Sequence, residues 1–137
     1  MKKLILFAAL ILVIFTTYGQ PLKKGNTFGL HVSTIYLNPD VTMNQYIIFC
    51  KTKLFPSFEE NMPGVKCYLA KGIKGEYLDS YSFIMFWESK AVMEKYFKQD
   101  GSSTEEGKAA FDKMKPVSDE WNKMGRIVDK YTDWEIQ

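Results

Sequence analysis

The sequence predicts an α+β fold in which helices cover one face of a four-stranded antiparallel sheet and a second sheet meets the other face. The predicted elements follow the order strand, helix, strand, strand, helix pair, strand. The strand Tyr81–Trp87 carries large apolar side chains at odd and even positions, and alternate residues of a strand point to opposite faces. The helices of a chain of 137 residues can cover only one face of the sheet. The other face must therefore meet a second sheet, a ligand or a partner subunit.

The first 19 residues are predicted to be an export signal. Lys2 and Lys3 precede the apolar run Leu4–Phe15, and Thr17 and Gly19 put small residues at the positions that direct cleavage. A run of 12 residues is shorter than the ~20 that a membrane-spanning helix needs, so a retained anchor is the weaker alternative. The sequence thus predicts a periplasmic or secreted protein with no stable membrane span once the signal is removed.

Removing the signal also changes the charge balance. Without Lys2 and Lys3 the chain has equal numbers of basic and acidic residues, so it offers no basic field for nucleic acid or anionic lipid. Residues 20–27 are predicted to form a flexible segment. Residues 28–137 are predicted to form a single domain, because no linker rich in Pro, Gly or Ser divides them.

The cysteine and histidine content argues against a metal or a cofactor. Cys50 and Cys67 have a separation that matches no metal-binding signature, and the chain has a single histidine, His31. The two cysteines are predicted to be buried free thiols or to form a disulfide, and the sequence leaves both open because it does not give the distance between them.

The first half of the domain contains two strands and a helix. Phe28–Leu37 alternates as a strand, and Thr42 with Gln45 forms a capping box that begins the helix. Pro56 is expected to break or kink this helix. A turn then leads into the strand Val65–Lys71, which is predicted to form a hairpin with the strand that follows.

The second half supplies the helix pair and the last strand. Ser89 is predicted to cap a short helix, and a capping box of Ser103 and Glu106 begins a longer one. The spacing of apolar residues in the longer helix puts Trp121 on its buried stripe, away from any cavity. The last strand is predicted over Arg126–Ile136.

Several short motifs resemble a known superfamily. They are Gly64-Val-Lys-Cys-Tyr-Leu, Phe86-Trp-Glu-Ser, Lys95-Tyr-Phe, Asp100-Gly-Ser-Ser-Thr-Glu-Glu-Gly and Tyr131-Thr-Asp-Trp. They look like segments of small exported bacterial proteins of unassigned activity in the dimeric α/β-barrel superfamily. The resemblance spans Phe28 to Gln137. It implies a ferredoxin-like βαββαβ domain whose sheet pairs face to face with that of a second copy, giving a homodimer.

A more distant resemblance is to the stress-responsive barrel family, which includes a plant polyketide cyclase. His31-Val-Ser-Thr-Ile-Tyr-Leu is similar to the first strand of that family. Aligning Trp87-Glu-Ser89 with the family's Phe-Glu-Ser places Tyr81 where the cyclase has its second catalytic histidine. Related barrel oxygenases use Asn, Trp and His. Here Trp87 is the only plausible counterpart, and the helix after it, Lys90–Gln99, contains no histidine. That absence disfavours haem degradation.

The candidate site is a small aromatic cavity between the two paired sheets. His31, as a general base, and Tyr81, as a phenolic donor, are the candidate catalytic residues. We expect His31 to lie near Trp87 at one end of the cavity floor and Tyr81 to lie at the other. The remaining candidate ligand-binding residues are Ser33, Ile35, Phe83, Met85, Trp87 and Tyr131.

These residues predict binding, or a cofactor-independent transformation, of a small apolar or aromatic molecule. Two alternatives remain open. In one, the protein is a non-catalytic envelope protein whose sheet face serves only dimerisation. In the other, His31 is a hydrogen-bonded wall residue without a reaction.

Overall fold

A computed structural model describes residues 22–137 of the chain. The predicted signal peptide over residues 1–19 and its cleavage after Gly19 lie outside the described residues. The elements are β1 (Thr27–Leu37), α1 (Met43–Phe49), a π-helical segment (Cys50–Leu54), α2 (Phe55–Asn61), β2 (Val65–Lys71), β3 (Tyr81–Trp87), α3 (Lys90–Tyr96), α4 (Glu105–Asn122) and β4 (Gly125–Glu135). Within residues 22–137, no helix has the length and apolar character needed to cross a bilayer.

The four strands form one antiparallel sheet in the order β2-β3-β1-β4. This order and the βαββαβ succession confirm the predicted α+β, ferredoxin-like fold. β1 begins one residue earlier than predicted, at Thr27. β4 both begins and ends one residue earlier than predicted. Just before β1, the Gly25 N–H donates to the Ile136 carbonyl at 2.9 Å, and the Ile136 N–H donates to the Asn26 carbonyl at 2.8 Å.

The helices pack on the face of the sheet that carries the odd-numbered residues of each strand. Met85 and Trp87 of β3 are buried there against Leu54 and Met114 from the helical layer. Burying such side chains contributes about 1.5–3 kcal/mol each, which makes this layer the main source of stability.

The other face of the sheet, which we call the open face, remains exposed and apolar. Tyr36, Tyr68, Val128 and Trp134 project from it and keep 47% to 53% of their surface accessible. No element within residues 22–137 covers it. An uncovered apolar face of this kind marks an interaction surface.

The first helical region begins as predicted. The Thr42 hydroxyl accepts from the Gln45 N–H at 3.2 Å, and the Gln45 side chain accepts from the Thr42 N–H at 2.8 Å, which completes the capping box. The expected break at Pro56 takes a different form. The helix widens into the π-helical segment Cys50–Leu54, and Pro56 then lies in the first turn of α2, where its missing N–H is tolerated.

The start of α4 differs from the prediction. The N-cap is Thr104, whose hydroxyl accepts from the Gly107 N–H at 3.0 Å and donates to the Lys95 carbonyl at the end of α3. The predicted cap Ser103 instead forms a β-bridge with Phe97, which holds it outside the helix. The predicted cap of α3 is confirmed, because the Ser89 side chain accepts from the Val92 N–H.

The two cysteines are buried free thiols. Cys50 lies at the start of the π-helical segment, and Cys67 lies in β2. Of the two alternatives that the sequence left open, the disulfide is therefore wrong.

Candidate functional site

The strand alternation places all the predicted site residues on the helix-covered face of the sheet. His31 lies opposite Phe83 of β3 and opposite Tyr131 of β4. The helices pack against this face, so these side chains do not line a space between two paired sheets. That expectation was wrong. The strand pattern separates the residues into two faces, but it does not show which face the helices cover.

The predicted register of His31 was also wrong. Thr27 is the residue of β1 that lies opposite Trp87, and His31 is further along the strand. Tyr81 lies opposite Ser33, which places it diagonally beside His31 on the same face. The two candidate catalytic side chains are therefore neighbours and do not stand at opposite ends of a cavity floor.

Most of the predicted site residues line a cavity of about 280 Å³ between the sheet and the helices, which we call the inner cavity. The rings of Phe55 and Phe83 stack in its wall with centroids 5.1 Å apart and an interplanar angle of 3°. Trp121 of α4 also lines it, so its expected position away from the cavity was wrong. Predicted residues that line the inner cavity are His31, Ser33, Ile35, Tyr81, Phe83 and Met85.

Two predicted ligand-binding residues lie elsewhere. Trp87 is 2% exposed and packs against Tyr96 and Phe97, and it does not line the inner cavity. Tyr131 is 54% exposed and stacks on the His31 ring at a centroid distance of 5.1 Å, beside a second cavity.

A hydrogen bond to Asp129 orients His31 at the inner cavity. Nδ1 of His31 lies 2.6 Å from Oδ2 of Asp129, with 23% of the His31 side chain and 41% of the Asp129 side chain exposed. Because an ionised carboxylate only accepts hydrogen bonds, Nδ1 carries a proton, and in the neutral form of the ring Nε2 has a lone pair. Sequence reasoning missed Asp129. The alternation of β4 puts it on the face of Tyr131, but only the β1–β4 register brings it to His31.

A second cavity of about 360 Å³ lies on the other side of the His31 ring, under α3 and the loop that follows it. We call it the outer cavity. Gly29 forms part of its floor. A Cβ at this position would lie 2.7 Å from Oδ1 of Asp133 and 3.5 Å from Nε2 of His31. The free nitrogen of His31 therefore faces the outer cavity, whereas Asp129 lines the inner one.

Tyr46 and Cys50 add neutral polar groups to the inner cavity. The Tyr46 hydroxyl accepts a hydrogen bond from Trp121 Nε1 at 3.2 Å. Burial raises the pKa of Tyr46 well above its usual range and raises the pKa of Cys50 to about 11. Both groups are therefore un-ionised at neutral pH. Across residues 22–137, no group of three or more His, Cys, Asp or Glu side chains is placed to hold a metal ion.

Comparison with known proteins adds one structural likeness. No protein-family model matches the chain, and no curated protein matches it. Among solved structures, it is similar to a dimeric protein of unknown function and ferredoxin-like fold from Bacteroides fragilis NCTC 9343. The TM-score is 0.42 at 10% sequence identity, over 87% of this chain and 100% of that one.

Proposed function

We propose that this protein is exported and binds a small, largely aromatic molecule in the inner cavity, with His31 contacting the polar atoms of the ligand. The observation that carries the proposal is the His31–Asp129 pair, which stands between cavities of about 280 and 360 Å³. These volumes are close to the lower end of the ~300–1,000 Å³ that small-molecule sites occupy.

The walls of the inner cavity support an aromatic ligand. Phe55, Phe58 and Phe83 form a cluster of rings in which Phe83 lies 5.1 Å from Phe55 and 5.7 Å from Phe58. A flat apolar ring gains both buried area and ring contacts against such a wall. Tyr81 and Tyr46 supply hydroxyl groups that can hydrogen-bond a hydroxyl or carbonyl group on the ligand.

The chemistry that the pair can perform is proton abstraction without a cofactor. Nε2 of a neutral His31 can accept a proton from a ligand hydroxyl or an acidic C–H, and the Asp129 carboxylate stabilises the imidazolium that forms. Because Nε2 faces Gly29, the acidic atom of the ligand lies at the boundary between the two cavities. General base catalysis of this kind supplies about 10²–10⁴-fold in rate.

The second candidate function, a non-catalytic envelope protein, is favoured by the apolar open face. We propose that this face pairs with that of a second copy, giving a homodimer. The candidate site lies on the opposite face of the sheet, so dimerisation leaves both cavities accessible. Dimerisation through this face is therefore compatible with ligand binding, and the two candidate functions differ in whether the cavities bind a ligand.

The proposed function is tested by titrating residues 20–137 with 1-naphthol, a neutral aromatic probe with one hydroxyl group. We expect His31→Ala to weaken binding about five- to tenfold through the loss of one hydrogen bond, with the melting temperature within a few degrees of the wild type. Ser33→Phe should abolish binding, because the added ring fills the inner cavity.

Thr34→Ala is the matched control for this titration, because Thr34 is exposed on the open face of the same strand. Its affinity for 1-naphthol should equal that of the wild type. Failure of 1-naphthol to bind, or unchanged affinity in Ser33→Phe, would contradict a ligand site in the inner cavity.

A further inference from the structure

The outer cavity is a separate space whose chemistry differs from that of the inner one. Its apolar wall consists of Met85, Met93 and Phe97, and the exposed ring of Tyr131 stands at its side. Its floor is Gly29, where β1 has no side chain. A molecule in this cavity can place an apolar body against the methionines and Phe97 and a polar group over Gly29.

When the His31 ring is neutral, the groups that meet over Gly29 are both hydrogen-bond acceptors. Asp129 fixes the proton of His31 on Nδ1, so Nε2 presents a lone pair there. Oδ1 of Asp133 lies 2.7 Å from the position that a Cβ on Gly29 would occupy, and Nε2 lies 3.5 Å from the same position. A ligand group between them has to donate more than one hydrogen bond. An ammonium group offers three donors, whereas a hydroxyl group offers one and a carboxylate offers none.

The charges around this point also favour a cation. Asp133 lines the cavity, and the Asp129 carboxylate is hydrogen-bonded to Nδ1 of the same His31 ring. Lys90 and Lys98 also line this cavity, on α3 and just after it. The Lys90 charge is paired with Glu94, another lining residue, at 3.8 Å.

We propose that the outer cavity is a binding site for a small aromatic primary amine, whose ammonium group lies over Gly29 between His31 Nε2 and Asp133. The ring packs against Met93 and Phe97, and the ammonium group hydrogen-bonds to both acceptors. This site is additional to the proposed inner-cavity site, and the two cavities share His31, Met85 and Phe97 in their walls.

The first experiment titrates residues 20–137 with phenethylamine, 2-phenylethanol and phenylacetate, which share a ring and differ in the terminal group. We expect phenethylamine to bind at least about tenfold more tightly than 2-phenylethanol, because charged hydrogen bonds are the stronger ones. Phenylacetate should bind least, because it brings a third carboxylate to the site. Equal or tighter binding of phenylacetate would overturn the proposal.

Two variants then locate the ammonium group. Gly29→Ala puts a methyl group where that group is proposed to lie, and Asp133→Asn removes the charge at nearly constant size. Each should weaken phenethylamine binding at least about tenfold. The Asp133 side chain can move aside from the new methyl group. Alanine also loses less conformational freedom than glycine, so Gly29→Ala should melt at the wild-type temperature or above it.

Glu135→Gln is the matched control, because Glu135 lies on the same face of β4 and outside the cavity. Its phenethylamine affinity should equal that of the wild type. Unchanged affinity in both Gly29→Ala and Asp133→Asn would overturn the proposal, as would an equal loss in Glu135→Gln.

The inner-cavity variant separates this inference from the proposed function. Ser33→Phe should abolish 1-naphthol binding and leave phenethylamine binding unchanged. Binding of 1-naphthol without selective phenethylamine binding refutes the outer site alone. The reverse result refutes the inner site alone.

Discussion

The carboxylate of Asp129 decides which nitrogen of His31 can act on a ligand. At 2.6 Å from Nδ1 it holds the proton on that atom and fixes the plane of the ring, which Tyr131 supports by stacking on it. The other nitrogen is thereby directed toward Gly29. The one histidine of the sequence is oriented as a base or an acceptor only by its contact with Asp129.

Thiol chemistry provides a test of burial at two positions. Burial raises the pKa of Cys50 to about 11, and burial together with the charge of Glu59 raises that of Cys67 to about 12. Only the thiolate attacks a disulfide reagent, and its population at pH 8 is about a hundredfold or more below that of an exposed cysteine. We therefore expect negligible reaction of the native protein with Ellman's reagent, and rapid reaction of both cysteines in guanidinium chloride.

The same two shifts contribute to the pH dependence of folding in the alkaline range. A thiol whose pKa is higher in the folded state binds its proton more tightly there than in the unfolded chain. This contribution to stability is complete below the ordinary thiol pKa of about 9.0 and is lost as the pH rises toward 11. For the thiol test above, fast reaction of the native protein with Ellman's reagent at pH 8 would contradict the burial of both cysteines.

At single positions, the sequence predicted whether a side chain is buried more successfully than which residue it contacts. For Cys50 and Cys67, the sequence allowed either buried free thiols or a disulfide. The structure shows buried free thiols. The role of Asp129 could not be predicted, because it depends on which residue of β4 lies opposite which residue of β1. That register is set by the loops and by packing, not by the strand pattern alone.

Among the elements, the π-helical segment Cys50–Leu54 is the one with no sequence signal of its own. Pro56 indicates a change in the helix, but a kink and a π-helical turn have the same signature. The wider turn still places Cys50 and Leu54 in the wall of the inner cavity. Lys53 of this segment forms an ion pair with Glu120 of α4, in which Nζ lies 2.7 Å from Oε2.

The start of α4 offers a matched pair of variants. Thr104→Ala removes both the acceptor for the Gly107 N–H and the bond to the Lys95 carbonyl, and it should lower the free energy of unfolding by about 1–2 kcal/mol. Ser103→Ala removes no side-chain hydrogen bond within residues 22–137, so it should change stability little. Urea unfolding of the two variants measures the difference. A larger loss for Ser103→Ala would contradict the observed cap.

The position of the cavity shows the limit of strand patterns. Alternation correctly groups His31, Ser33 and Ile35 on one side of β1 and Phe28, Leu30 and Val32 on the other. The second group is wholly apolar, whereas the first group includes the polar residues His31 and Ser33. The polar residues of the first group suggested a cavity wall facing a second sheet, but the helices cover that group. Which face receives the helices depends on packing across the whole layer, which no single strand encodes.

In the whole molecule, the two faces of the sheet differ in what covers them. The helices bury most of one face, but the last residues of β4 extend beyond them, and Tyr131 and Asp133 remain exposed beside the outer cavity. The open face holds apolar side chains on both central strands and both edge strands. Ligand binding on one face and subunit pairing on the other need not compete.

The pairing of the open face is tested by the mass of residues 20–137 in solution. We expect light scattering to give twice the monomer mass at micromolar concentration, because association would bury the apolar side chains that project from this face. Leu30→Glu puts a charge in the middle of the face, on a central strand opposite Ile84, and should give a monomer with an unchanged circular dichroism spectrum. Ile73→Glu is the control. Ile73 is 87% exposed in the loop after β2, so that variant should remain a dimer. A monomeric wild type, or a dimer that persists in Leu30→Glu, would mean that the open face is not where two copies meet.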